Sequence, residues 1–262
     1  MYALLIGINQ PSLDFRKLSE PANEVERLAE LLGQQQYAVK LLKNEDATKL
    51  DIFHWLDLIV QKAKPRDRVL VYYTGHASRL DSLSRSLVPK LNSSLKTNPD
   101  NEFFLIPYQQ QKLGISELIS ARELVEHLQA LDSGEKEQRI STKAIHQRIV
   151  IIDACFGGYF INVSPLTTHM FENEMPPDGF YAVTSVQDTT FDGQYFPFIY
   201  DGLKGEADTW EKGNGDGIVG LFELTNYIDY HIRKNYAKPL GEDFYSRYIM
   251  VGSGEVALTL TK

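Results

Sequence analysis

Short apolar runs alternate along the chain with longer stretches in which apolar residues recur every three or four positions. The short runs are rich in Val, Ile, Leu and Tyr, a composition typical of strands buried on both faces of a parallel sheet. We predict strands at residues 2–8, 38–42, 68–74, 149–152, 181–186 and 248–251, with shorter ones at 102–106 and 257–260.

The longer stretches begin and end with residues that favour helix boundaries. A first helix is expected between Pro21 and Gly33, a second after the N-cap residue Thr48, and a third after the N-cap residue Ser120. Residues 221–236 form a further stretch with helical spacing. Because strands and helices alternate, we predict an α/β fold with a mostly parallel sheet and helices on both of its faces.

Polar segments without a clear period separate some of these elements. Residues 78–101 are expected to form a long surface loop, residues 132–147 a charged linker, and the residues after Cys155 another loop. No internal repeat or second-domain boundary is visible. We therefore expect one domain over residues 1–262, with two main parts at 1–158 and 181–262 and a linker at 159–180.

Composition and charge exclude several classes of function. The net charge of −8 and the lack of a basic block disfavour a nucleic-acid partner, since such binding depends on clustered Lys and Arg. No apolar run approaches the roughly 18 residues that span a bilayer, so no membrane partner is expected. The single cysteine, Cys155, cannot form an internal disulfide, which favours a cytoplasmic location.

One histidine and one cysteine each follow directly after a buried strand. His76 ends the segment RVLVYYTGH, and Cys155 follows RIVIIDA. In open α/β sheets, ligands bind beyond the carboxyl ends of the strands, so two adjacent strands would bring both side chains to one crevice. That pairing favours a cysteine nucleophile with a histidine acid/base. Taken singly, either residue could instead be structural, the cysteine as a small buried side chain and the histidine as a strand cap.

The segments YYTGHA and DACFGG, together with LLIGIN near the start and GNGDGIVGLFEL near the end, resemble those of the caspase-like (clan CD) cysteine peptidases. The metacaspase and bacterial caspase-like branch is the most similar. The resemblance implies a three-layer αβα sandwich with a central sheet of about six strands. It also implies that residues 1–158 correspond to the large subunit of such enzymes and residues 181–262 to the small one.

The resemblance implies catalytic roles. Cys155 would attack the scissile carbonyl as a thiolate, and His76 would protonate the departing amine and then activate water. The backbone N–H groups of Ala77 and Cys155 would bind the oxyanion. Many relatives have glycine where this chain has Ala77.

The resemblance also assigns a pocket for the substrate side chain that precedes the cleaved bond. The basic-specific branch has an acidic residue two before the cysteine, here Asp153, and its other pocket groups align with Glu24 and Thr74. Two carboxylates would attract Arg or Lys and repel Asp. The alternative is that Asp153 only accepts backbone hydrogen bonds.

The sequence does not favour a metal or cofactor. Relatives that need calcium carry an acidic cluster after the histidine, where this chain has only Asp81, Asp100 and Glu102. The segment KGNGDGIVGLFE has ligand-type residues at EF-hand spacing, but Lys212 stands at its first position. We therefore expect no cofactor, with calcium as the disfavoured alternative, and a turn at this segment.

The distribution of basic residues bears on processing. No Lys or Arg lies between Arg148 and Lys204, so a basic-specific enzyme would work as a single chain or cut itself only at upstream sites such as Lys136, Arg139 or Lys143. Its partners would be protein or peptide substrates and a regulatory or sensor protein. Relatives act in cell death, stress responses and prokaryotic defence. The alternatives are a caspase-like pseudoenzyme that acts by partner binding and, less favoured, a flavodoxin-like phosphate binder.

Overall fold

The structure is a computed structural model, and it describes residues 1–13, 15–64, 67–79, 103–110, 115–129, 147–163, 180–184, 192–237, 247–251 and 256–261. Its centre is a six-stranded sheet in the order β10-β8-β7-β3-β1-β2. The strands of this sheet are β1 (Tyr2–Gly7), β2 (Ala38–Lys43), β3 (Arg68–Gly75), β7 (Gln147–Ala154), β8 (Phe180–Thr184) and β10 (Arg247–Val251).

Five of these strands are parallel, and only the edge strand β10 runs antiparallel to its neighbour β8. The strands form because their β-branched and aromatic residues pack on both faces; Leu4, Val71 and Ile151, for example, are fully buried. Since parallel strands end at the same edge, the carboxyl ends of β1, β3, β7 and β8 lie together. This edge positions the candidate site.

Helices cover both faces of the sheet and make a three-layer αβα sandwich, as predicted. One face packs against α2, α3 and α4, and the other against α1, α5 and α7. The helices are α1 (Pro21–Gln34), α2 (Lys49–Lys62), α3 (Ala121–Gln129), α4 (Gly157–Val163), α5 (Phe196–Asp201), α6 (Ala207–Thr209) and α7 (Leu221–Ile232). Short π-helical turns, Gly202–Glu206 and Arg233–Ala237, follow α5 and α7.

Local sequence signals account for the starts of several helices. The Thr48 side chain accepts a hydrogen bond from the Asp51 N–H at the start of α2. Ser120 and Glu123 form a reciprocal capping box at the start of α3. The start of α1 lies very close to the end of β1, because a Cβ on Gly7 would lie 2.4 Å from the Pro21 carbonyl oxygen. Glycine therefore lets α1 begin directly over the end of β1.

Two small sheets flank the main one. Strands β4 (Ala77–Arg79), β5 (Phe103–Leu105) and β6 (Ile119–Ser120) form an antiparallel sheet that continues directly from β3. Strands β9 (Ile218–Gly220) and β11 (Ala257–Leu260) form an antiparallel pair. The strand expected at 257–260 is therefore present. Its partner, β9, is not among the strands that the sequence pattern predicts.

One expectation is corrected by the structure. Residues 157–163, which lie in the predicted loop and overlap the predicted linker at 159–180, form helix α4. The glycine pair at its start is typical of a loop, but burial of Phe160 against Phe103 favours the helix. The rest of that linker up to residue 179, the loop from residue 80 to 101, and the charged linker up to residue 146 lie outside the described residues.

Within the described ranges, no helix has both the length and the apolar character needed to cross a lipid bilayer.

Candidate active site

The register of the central strands places His76 beside Cys155. Strands β3 and β7 pair in parallel with Gly75 opposite Ala154, and His76 and Cys155 are the next residue on each strand. Neighbouring strands lie only about 4.8 Å apart. The structure thus brings the two predicted catalytic residues to adjacent positions at the carboxyl edge of the sheet.

The His76 ring is oriented by a backbone carbonyl. Its Nε2 lies 2.7 Å from the carbonyl oxygen of Arg16, and the Phe15 ring packs beside it with centroids 5.2 Å apart. A carbonyl oxygen only accepts hydrogen bonds, so Nε2 carries the proton and the neutral ring has its lone pair on Nδ1. This arrangement suits a general base whose ring is held in place by a further hydrogen-bond partner, here the Arg16 carbonyl.

Burial controls the charge of this histidine. Partial burial lowers the pKa of His76, while the hydrogen bond to the Arg16 carbonyl and the negative charge of Asp192 act in the opposite direction. The net effect is a pKa below the ordinary histidine value. The imidazole is therefore neutral at pH 7 and able to take a proton.

The backbone at His76 is also held in place. Its carbonyl oxygen accepts hydrogen bonds from the Tyr73 hydroxyl at 2.5 Å and from the Ile106 N–H at 3.1 Å. Gly75 has a φ of 152°, and a Cβ there would lie 3.1 Å from the Ile8 carbonyl oxygen. A larger residue before His76 would therefore be strained and crowded.

Cys155 lies at a sharp turn between β7 and α4. The residue after it, Phe156, has a left-handed φ of 60°, and its carbonyl oxygen accepts the Tyr159 N–H at 2.9 Å as the helix begins. A left-handed aromatic residue is strained, and such strain is common beside functional groups. Cys155 is half-buried. Burial raises the pKa of Tyr73, and charge on Cys155 adds to that rise, so the Cys155 side chain is within electrostatic range of the Tyr73 hydroxyl.

Ala77 carries one of the two backbone N–H groups that are expected from the sequence to bind the oxyanion. It pairs with Leu105 in the β4–β5 ladder, and the bond from the Ile106 N–H to the His76 carbonyl identifies this pair as the non-hydrogen-bonded type. In such a pair, the N–H of each residue points away from the partner strand. The Ala77 N–H therefore points away from β5. Ala77 has no left-handed φ, so alanine is accommodated without strain where relatives have glycine.

The three predicted pocket residues lie together on the face of the sheet that α1 covers. Thr74 and Asp153 stand opposite each other on β3 and β7. The Thr74 hydroxyl donates a 2.7 Å hydrogen bond to Glu24 of α1, and the Tyr72 hydroxyl donates a 3.3 Å bond to Asp153. Both carboxylates are almost fully buried, with exposed fractions of 3% for Glu24 and 8% for Asp153.

Burial shifts the protonation of both carboxylates. Desolvation raises the pKa of Glu24 to about 7, although the hydrogen bond from Thr74 opposes the shift. Desolvation also raises the pKa of Asp153 well above its ordinary value, and the charge of Glu24 adds to this effect. Two buried acids that favour their protons form a site that gains from the arrival of a cation.

A third carboxylate, Asp192, lies near this pair. Its charge raises the pKa of both Glu24 and Asp153. Its oxygens accept hydrogen bonds from the backbone N–H and hydroxyl of Ser19, at 2.5 and 2.7 Å, and from the Glu20 N–H at 3.2 Å. It therefore caps the start of α1 from a distant segment and adds negative charge beside the pocket.

Sequence reasoning missed three of these groups. The Arg16 carbonyl belongs to the backbone and has no side-chain signal. Tyr72 looks like any strand residue, although its place two before Thr74 puts it on the same face of β3. Asp192 is one of 35 acidic residues, and nothing near it in the sequence connects it with Ser19.

The described residues hold no ready metal centre. Within those ranges, no three His, Cys, Asp or Glu side chains stand close enough together to ligate a single ion.

Comparison with known proteins shows the family. The sequence profile of the caspase domain matches residues 1–246. No curated protein sequence matches the chain. Among solved structures, the chain is similar to protein GSU0716 from Geobacter sulfurreducens, with a TM-score of 0.61 and 12% identity over 100% of this chain and 99% of that one. It is also similar to caspase-1 from Spodoptera frugiperda, with a TM-score of 0.60 and 9% identity over 100% and 90% of the two chains.

These structural likenesses confirm the predicted fold, and the profile match covers most of the chain. The protein belongs to the caspase-domain family of cysteine peptidases.

Proposed function

We propose that this protein is a cysteine endopeptidase that cleaves proteins after Arg or Lys, with Cys155 and His76 as its catalytic dyad. The pairing of Gly75 with Ala154 carries the proposal, because it puts His76 and Cys155 at adjacent positions on neighbouring strands. The buried acids Glu24 and Asp153 support the choice of a basic substrate.

The orientation of His76 defines the proton path. With Nε2–H bonded to the Arg16 carbonyl, Nδ1 is the atom that takes the proton from the Cys155 thiol. The thiolate attacks the scissile carbonyl carbon, and the carbonyl π electrons move to oxygen. Nδ1–H then protonates the departing amine as the C–N bond breaks, which leaves a thioester on Cys155.

Hydrolysis completes the cycle. His76 removes a proton from water, and the resulting hydroxide attacks the thioester carbon. The C–S bond then breaks, the acid product is released, and the imidazolium of His76 returns its proton to the Cys155 thiolate. In both halves, the backbone N–H groups of Ala77 and Cys155 bind the oxyanion. Losing one such donor typically costs about 3–4 kcal/mol of transition-state stabilisation.

The pocket explains the proposed preference. When it is empty, the pKa of about 7 leaves Glu24 about half protonated at neutral pH, and the raised pKa of Asp153 favours its protonated form. A guanidinium or ammonium group replaces those protons and pairs with the carboxylates, and Asp192 adds attraction for the cation. An acidic side chain would meet three carboxyl groups. Arg27, the cation that lowers the pKa of Glu24, has the smallest effect of the groups that shift it.

The resemblance extends the proposal to a regulated effector in cell death, stress or prokaryotic defence, located in the cytoplasm. Its partners would be protein substrates and a regulatory or sensor protein. Its proposed state is a single active chain that needs no metal for the chemical steps.

A pair of experiments tests the proposed activity. Fluorogenic tetrapeptides that end in Arg, Lys or Asp are assayed with wild type and Cys155→Ala, and an Arg-chloromethylketone is used to label the thiol. We expect turnover after Arg or Lys, labelling at Cys155, and neither in the variant. Preference for Asp would overturn the specificity. No turnover and no labelling would favour the alternative, a pseudoenzyme that acts by partner binding.

A further inference from the structure

A buried carboxylate lies under the glycine-rich loop between α6 and β9. Asp208 has an exposed fraction of 2%. Its Oδ2 accepts hydrogen bonds from the Gly217 N–H and the Thr261 hydroxyl, both at 3.2 Å. Its Oδ1 is buried without a hydrogen-bond partner in the structure. A buried carboxylate oxygen that lacks a donor is costly, and a bound cation is one way to satisfy it.

The loop itself follows the spacing of an EF-hand calcium loop. With Gly217 as the sixth position, oxygen ligands fall at positions three, five, seven and twelve; these are Asn214, Asp216, the Ile218 carbonyl and Glu223. Gly217 has a left-handed φ of 86°, which serves the sharp turn that this position requires. The first position, Lys212, contradicts the pattern, and the ninth, Gly220, has no side chain.

A carboxylate from outside the loop lies near the first ligand position, where Lys212 offers no oxygen. Asp208 precedes Lys212 by four residues, yet its carboxylate binds the N–H of Gly217 at the sixth position. Gly213 then lies so close to Asp208 that a Cβ on Gly213 would be 2.0 Å from the backbone carbonyl oxygen of Asp208. The residues between Asp208 and Gly213 therefore loop out, and the side chain of Asp208 faces the loop.

The side chains of the loop are already arranged by backbone contacts. Asn214 Oδ1 accepts the Asp216 N–H at 2.8 Å, and Asp216 Oδ1 accepts the Ile218 N–H at 2.9 Å. Each side chain keeps further lone pairs for an ion. Glu223 is turned differently, because its two oxygens accept the N–H groups of Asn214 and Gly220 at 2.8 and 3.0 Å.

We propose that this loop is a calcium site, with ligands from Asp208, Asn214, Asp216, Glu223 and the Ile218 carbonyl. Hard oxygen donors on a flexible glycine-rich loop suit Ca²⁺ better than Mg²⁺, which needs near-ideal octahedral geometry. Since no three acidic groups of the described chain are yet gathered around one point, Glu223 exchanges its backbone hydrogen bonds for the ion on binding. That exchange predicts a modest dissociation constant, about 10⁻⁵–10⁻³ M.

Terbium luminescence offers a direct test, because a tryptophan near a bound Tb³⁺ ion can transfer energy to it. Trp210, one of two tryptophans in the chain, lies two residues from Asp208. Tb³⁺ is titrated into the full-length protein, and Ca²⁺ and then Mg²⁺ are added as competitors. We expect saturable emission that Ca²⁺ removes and equimolar Mg²⁺ does not. Asp208→Asn and Asp216→Asn should each weaken Ca²⁺ binding tenfold or more.

Glu211→Gln provides the matched control, since Glu211 is exposed in the same loop and is not a proposed ligand. Asp216 is exposed as well, so Asp216→Asn leaves the core intact if Asp208→Asn fails to fold. Absence of saturable binding in wild type would overturn the proposal. Equal Ca²⁺ affinity in wild type and Asp216→Asn would do so too. The result does not depend on peptidase activity, because binding is the readout.

Discussion

Thr74 donates a 2.7 Å hydrogen bond to Glu24 and thereby joins a central strand of the sheet to the helix that covers it. Thr74 also stands opposite Asp153, two residues before the site's cysteine. Thr74 therefore neighbours two buried acids, one through its hydroxyl and the other through the pairing of the strands. Their ionisation should control both the activity and the stability of the protein.

The pH dependence of cleavage should follow Glu24. Because the pKa of Glu24 is raised to about 7, kcat/KM for an Arg substrate should rise with pH through that value as the carboxylate forms. Glu24→Gln should lower kcat/KM by about 10- to 100-fold, the worth of one charged hydrogen bond. The remaining decrease in kcat/KM at low pH should then reflect Asp153, whose pKa burial raises well above its ordinary value, and His76, whose pKa burial lowers.

A pH–rate profile of wild type, Glu24→Gln and Glu30→Gln checks this expectation. Glu30 lies on the same helix with its side chain exposed, so its substitution should leave the profile unchanged. If kcat/KM decreases at low pH in the same way in Glu24→Gln as in wild type, this carboxylate does not control substrate binding.

The same carboxylate should make the fold less stable as pH rises. A folded pKa of about 7 against an ordinary value of 4.5 means that the folded state holds the proton more tightly. This contribution is complete below about pH 4.5 and is lost as pH rises through about 7, with a size on the order of 2 kcal/mol. Urea unfolding at pH 5 and pH 8 should therefore show a larger loss in wild type than in Glu24→Gln. Parallel changes in the two proteins would contradict the assignment.

Tyr73 should act as a positioning residue for His76. Its hydroxyl holds the His76 carbonyl, and Tyr73→Phe would remove that bond at a cost of about 1 kcal/mol in the free energy of unfolding. We expect kcat to fall several-fold with little change in KM, since the imidazole moves while the pocket is untouched. Tyr2→Phe, which removes a surface hydroxyl bonded to Lys62, serves as the control. A change in KM alone would argue against this role.

Self-processing should spare the region after the cysteine. No Lys or Arg occurs between Arg148 and Lys204, so an enzyme specific for basic residues has no site there. Purified wild type and Cys155→Ala are incubated, and new N-termini are sequenced. We expect an intact chain or cuts only at upstream sites such as Lys136, Arg139 or Lys143. A cut within residues 159–180 that occurs in wild type alone would contradict the proposed specificity.

The parts of this molecule that follow from short-range patterns could be read from the sequence. The strand runs around Val71 and Ile151, and the N-cap residue Thr48, act within a few residues of themselves. The placement of Cys155 and His76 also followed, because parallel strands share one carboxyl edge. Helix α4 did not follow, since burial of Phe160 outweighs the loop preference of the glycines before it.

Long-range contacts account for what the sequence could not reveal. The partner of Asp192 lies 173 residues away at Ser19, and no local pattern links the two. The carbonyl of Arg16 reaches His76 across 60 residues through the backbone alone. Asp208 lies outside the twelve-residue spacing of the proposed calcium loop, so the EF-hand motif in the sequence has Lys212 at its first position instead. Each of these contacts exists only once the chain has folded.

Cleavage of a complex peptide mixture tests the central claim most directly. Peptides from a digested proteome are incubated with wild type and with Cys155→Ala, and the new termini are identified by mass spectrometry. The account predicts that wild type alone produces new C-termini at Arg and Lys. New C-termini at Asp or Glu, or the same products with Cys155→Ala, would contradict it.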